Sequence, residues 1–120
     1  MLMLPPSVRI FLAVGPADLR RSLDGLAAMA REVIREDPLS GHLFVFSSRR
    51  RDRVKVLFRD RSGFVLWYKR LEKGVFRFPP AEAGSVEVEA AELMLLLEGI
   101  ELAGSRRRER RVPGGVEAGG

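Results

Sequence analysis

An α+β domain is predicted, with one mostly antiparallel sheet of four to six strands, an amphipathic helix after the first strand and a short C-terminal helix. Three observations lead there. Short apolar runs rich in Val, Ile and Phe alternate with turn signals such as Ser40-Gly41, Asp60-Arg61-Ser62-Gly63 and Lys73-Gly74. One long segment instead repeats its apolar residues at spacings of three and four. The later runs are joined by connections short enough for a meander. With 120 residues the chain holds one ordinary domain. We place it at residues 1–103, followed by an Arg- and Gly-rich tail over 104–120 that has no apolar pattern to order it.

The elements follow in order. Ser7 to Ala13 mixes β-branched and aromatic residues and reads as a strand ended by Gly15-Pro16. From Asp18, the residues Leu19, Leu23, Leu26, Met29 or Ala30, Val33 and Ile34 form the stripe of an amphipathic helix, with Pro16 and Asp18 suited to its first turn. Asp37-Pro38 must stop it, because a residue before proline is steered away from helical angles. His42 to Phe46 is short and apolar, as a strand buried on both faces would be. Arg53 to Arg59 and Gly63 to Arg70 are the next two strands, and Val75 to Phe78 continues the meander until Pro79-Pro80. Val86 to Glu89 alternates like an edge strand, and Ala90 to Glu98 carries strong helix formers up to Gly99.

Composition narrows the function. The chain is 46% hydrophobic and 31% charged, a balance that supports a packed core. Absence of cysteine excludes disulfides, thiol nucleophiles and thiolate metal sites. Met1 to Pro6 has no basic segment ahead of a signal-length apolar stretch, and no run reaches the ~18 apolar residues of a membrane span, so a cytoplasmic protein without membrane or small-molecule partner is expected. Net charge is +5, with a pI near 10.6, and it is concentrated. Ser47 to Arg61 holds seven basic against two acidic residues, and Ser105 to Arg111 five against one. Clustered cations of this kind favour a polyanionic partner through counterion release.

Several stretches then resemble a known family. Gly15 to Leu26, Asp37-Pro38-Leu39-Ser40-Gly41-His42-Leu43-Phe44-Val45-Phe46, the basic Arg50 to Leu57, Asp60 to Phe64, Lys69-Arg70-Leu71-Glu72-Lys73-Gly74, Phe76 to Pro79 and Leu96-Leu97-Glu98-Gly99-Ile100 occur in the order of its motifs. The family is that of the small accessory proteins encoded by the second open reading frame of bacterial insertion sequences of the sixty-six type, labelled TnpB and distinct from the RNA-guided nuclease sharing that label. The likeness runs from about Pro5 to Leu102; Phe78 stands where the family often has tryptophan, and the tail follows no family pattern. The resemblance implies a role in DNA transposition beside a separate, larger transposase that performs strand transfer. It brings no catalytic residues, metal or cofactor.

The residues themselves agree with a non-enzymatic role. A two-metal nuclease needs carboxylates converging on ions about 3.5–4 Å apart. The candidates Asp18, Asp24, Asp37, Asp52 and Asp60 fall instead at helix and turn positions where caps and turns already account for them. His42 is the sole histidine and Tyr68 the sole tyrosine; the first reads as a strand-edge residue, the second as core or sheet-face packing. The strongest functional candidate is the arginine-rich hairpin: Arg49, Arg50, Arg51 and Arg53 at a connection, continued by Lys55, Arg59 and Arg61, with Val54, Val56 and Phe58 packing inward. The bland alternative is a solvated turn. Arg20 and Arg21 are added because cations at a helix start oppose its dipole and invite a contact that compensates. Trp67 and Phe76 are either stacking platforms or core. The expectation is a DNA-binding accessory protein acting on element ends with its transposase. An adaptor docking through the sheet or the Ala90–Leu97 helix without DNA contact, and a small nuclease, stand as alternatives.

Overall fold

A computed structural model describes Pro5, residues 7–80 and residues 84–99; the tail predicted over 104–120 lies outside the described residues. The chain runs through β1 (Ile10–Ala13), α1 (Leu23–Met29) with a wider π-type turn over Ala30–Ile34, β2 (Leu43–Ser47), β3 (Arg53–Arg59), β4 (Phe64–Arg70), β5 (Ser85–Val88) and α2 (Ala90–Leu97). The five strands form one sheet in the order β4-β3-β2-β1-β5. Three neighbouring pairs are antiparallel, and β1 and β2 are parallel because α1 lies between them as a crossover. The α+β class and the mostly antiparallel sheet are as expected.

Each face of the sheet carries its own core. Alternation along the strands sends Phe11, Ala13, Phe44, Phe46 and Leu57 to one side, where Leu26, Ala27, Ala30 and Ile34 of the first helix cover them. Ile10, Leu12, Leu43, Val45, Val54 and Val56 face the other side, against Leu93, Leu96 and Leu97 of α2 and the buried Phe76. Phe44 and Phe46 are fully enclosed, each contributing roughly 1.5–3 kcal/mol by leaving water. α2 begins in a capping box between Glu89 and Glu92. Its C-terminal end is held by the Lys69 ammonium, which donates to the Leu97 carbonyl at 2.7 Å, a cation placed at the negative end of the helix dipole.

Two expected elements differ. The first helix starts at Leu23 and not at Asp18, because the Asp18 carboxylate accepts from the Arg20 backbone N–H at 3.0 Å and the Asp18 carbonyl from Arg21 at 3.1 Å, which fixes a turn there. Ser22 then serves as the cap, its hydroxyl accepting from Gly25 at 3.4 Å. The helix ends at Ile34, before Pro38 is reached, where Arg35 takes a left-handed conformation at φ 67°. Val75 to Phe78 is not a strand: Phe76 donates to the Arg51 carbonyl at 2.6 Å and its ring drops into the core, so the segment crosses a sheet face and does not extend its edge. The second outer strand is therefore β5, which returns to pair with β1. Gly84 permits that return, since a Cβ there would stand 2.5 Å from the Val33 carbonyl oxygen.

Candidate nucleic-acid interface

The β2–β3 connection and the ends of β3 and β4 form one end of the sheet. Ser48 accepts from Arg51 and Arg53 in the connecting turn, and Arg51 adopts a positive φ of 62° to close it. This geometry leaves Arg49 and Arg50 exposed at the tip. In the β3–β4 register Arg53 lies opposite Arg70, Lys55 opposite Tyr68 and Leu57 opposite Leu66. These pairs share the face that the first helix covers, but the helix packs over Phe11, Phe44, Phe46 and Leu57, and Arg53 and Arg70 stay exposed at their end of the strands. Among the described residues, ion pairs join Arg9 to Glu87 and Arg20 to Asp18, and neither involves Arg49, Arg50, Arg53 or Arg70.

The Ala17–Arg20 loop forms a wall beside that end. Ala17 donates to the Ser47 carbonyl at 2.8 Å, and the Lys55 ammonium donates to the Leu19 carbonyl. Between the loop and the β3–β4 surface lies an open pocket of about 630 Å³. Arg20 reaches it from the wall, paired with both oxygens of Asp18 at 3.0 Å.

The nine basic residues singled out from the sequence do not all share this surface. Arg49, Arg50, Arg53 and Lys55 gather at the hairpin end, with Arg20 beside them. Arg21 is exposed just before the Ser22 cap, its side chain lying beside Gly25 in the first turn. Arg59 and Arg61 lie at the far end of β3 near the Asp60 turn, roughly 20 Å away along the strand. Arg51 points inward: its guanidinium donates to the Ser47 hydroxyl at 2.8 Å and to the Val14 carbonyl at 2.6 Å, and lies 4.5 Å from the centre of the Phe78 ring. Partial burial lowers its pKa from the ordinary arginine value.

Arg70 was missed from the sequence. Counting back across the Asp60–Gly63 turn would have set it opposite Arg53. Tyr68 proves to be sheet-face and 49% exposed, whereas Phe76 is buried and Trp67 packs half-buried against the α2-side core.

The acidic residues have local duties. Asp37 and Asp60 accept backbone N–H groups of their own turns at 2.9 Å, and Asp52 accepts from the Ser48 hydroxyl at 3.1 Å. His42 accepts the Arg9 backbone N–H at 2.9 Å and meets Phe11 edge-on. Among the described residues no three His, Asp or Glu side chains gather as a metal site, and no helix is long and apolar enough to cross a membrane.

Hydrogen bonds from Arg20 hold the Asp18 carboxyl down to about 2. The Ser62 and Gly63 amides lower that of Asp60, and Arg9 lowers that of Glu87. Carboxylates depressed in the fold contribute stability above their unfolded pKa of about 4 and lose it as pH falls through the folded values. Thermal melts should therefore fall progressively between about pH 4 and pH 2, and Asp18→Asn should remove part of that dependence.

The model of the IS66 Orf2 like protein, TnpB of IS66, matches residues 8–107. The chain belongs to that family. Membership ties it to an insertion sequence and its transposition, as the motifs implied. Two relatives come from Sinorhizobium fredii (strain NBRC 101917 / NGR234). The uncharacterized protein y4jC is 36% identical over 113 residues, covering 92% of this chain and 97% of the relative. The uncharacterized protein y4hO is 41% identical over 95 residues, covering 79% and 83%. No solved structure gives a significant match.

Proposed function

We propose that this IS66 Orf2 like protein is a non-catalytic accessory subunit of transposition that binds nucleic acid, at the element ends, through the hairpin end of its sheet. One observation carries the proposal: Arg49, Arg50, Arg53 and Arg70 are held exposed together without acidic partners among the described residues. Four like charges brought together repel one another, and a row of phosphates relieves that repulsion while releasing counterions. The acids that a nuclease would need are spent on turns and on Arg20, which supports an absence of chemistry at the interface.

A salt titration tests the proposal. Anisotropy of a labelled oligonucleotide should report binding at ~50 mM salt and a log–log slope of about −3 to −4, as four or five neutralised phosphates require. A protein that leaves the oligonucleotide free at ~50 mM salt would overturn the proposal. A second role is compatible with the first: Met94 and Leu95 of α2 are 40% and 44% exposed, an apolar ridge suited to the partner transposase. Retention of the transposase that is lost on changing both residues to serine, with oligonucleotide binding intact, would establish it.

A further inference from the structure

The hairpin end offers more than charge. Its pocket combines apolar groups, Leu19, Leu66 and the Tyr68 ring, with Arg53 and Lys55. Large apolar rings usually pack into the core, but Tyr68 is 49% exposed on the face it shares with Arg53 and Arg70. Its cross-strand neighbour Lys55 is pinned to the Leu19 carbonyl with its ammonium 5.8 Å from the ring centre. The ring thus has a cation at one side and Arg53 and Arg70 next along the strands. Duplex phosphates would meet the rim arginines and leave this pocket unused, because paired bases are stacked within the helix and cannot offer a face to Tyr68. An unpaired base can.

We infer that the pocket takes single-stranded nucleic acid, with one base stacked on Tyr68 and the flanking phosphates on Arg53 and Arg70. This rests on the interface proposed above and adds the class of strand it receives. Sheet-face aromatics bordered by cations bind single strands by stacking, which every base permits, so affinity without strong sequence preference is expected. The Leu66 and Leu19 side chains complete the apolar floor and wall, and the Lys55 ammonium retains donors for a phosphate or a base carbonyl beyond its bond to Leu19.

The test uses the full chain and labelled oligothymidylate of about 12 nucleotides, oligouridylate of the same length and a duplex of the same length. Oligothymidylate or oligouridylate should bind about tenfold or more tightly than the duplex, and the tighter of the two identifies the sugar preferred. Tyr68→Ala should weaken single-strand binding between about fivefold and 100-fold and leave duplex binding within about twofold, while Tyr68→Phe keeps the wild-type preference. Because Tyr68 is the sole tyrosine, photocrosslinking of an iodouracil-substituted strand to the wild-type protein should map to a tyrosine-containing peptide. Equal affinity for duplex and single strands, or a Tyr68→Ala protein that still prefers single strands while loss of the four arginines abolishes binding, overturns the stacking inference and spares the basic interface. Failure of every oligonucleotide to bind overturns both.

Discussion

The Arg51→Ala protein is expected to unfold about 10–20 °C below the parent, a loss of about 2–4 kcal/mol. Arg51 ties three segments together: its guanidinium reaches the Ser47 hydroxyl and the Val14 carbonyl, its carbonyl accepts from Phe76, and its planar head stacks on Phe78. Ser47 is fully buried, so truncation leaves its hydroxyl without that donor, and a buried polar group left unpaired costs about 1–3 kcal/mol. The backbone separates two contributions. At φ 62°, glycine is at ease where alanine is strained, so Arg51→Gly should be about 1 kcal/mol less damaging than Arg51→Ala although both lack the side chain. Arg51→Lys should fall between glycine and the parent, since an ammonium cannot reproduce the planar fork. Thermal melts of the three variants check the order. An alanine variant melting within about 2 °C of the parent would mean that the guanidinium bonds do not hold the fold.

Changing Arg49, Arg50, Arg53 and Arg70 together to alanine should weaken oligonucleotide binding about a thousandfold at ~0.1 M salt and flatten the salt dependence by about three to four units. All four are exposed, so the melting temperature should hold, apart from a small rise where mutual repulsion is relieved. Arg59→Ala with Arg61→Ala removes two charges from the same arginine-rich segment at the opposite end of β3 and should cost less than about tenfold. The contrast matters because both sets count equally in the sequence; only the fold separates them. Equal losses per charge would show a diffuse electrostatic attraction with no located interface.

Much of the architecture was legible because local pattern and tertiary environment agree. The alternation in β3 puts Val54 and Val56 into the core and Arg53 and Lys55 on the opposite face, as period two requires. The helix formers before Gly99 end where that glycine takes φ 85°. Other features depend on contacts that no local pattern carries. Asp18 suits a first helical turn and an Asx turn equally well, and the bidentate reach of Arg20 decides for the turn. Val75 to Phe78 has strand-forming residues, but bonding to Arg51 fixes its course. The inward role of Arg51 among four neighbouring basic positions is set by a left-handed backbone conformation. Tyr68 stands in an apolar run that reads as core or sheet-face packing, and only the fold decides between the two by leaving it 49% exposed.

Backbone amide hydrogen exchange with and without bound oligothymidylate tests most directly where nucleic acid sits. Protection is predicted over residues 17–21, 48–55 and 66–71, the three segments that meet at the hairpin end. Protection centred on the Asp60 turn or on α2, with those three segments unchanged, would contradict the assignment.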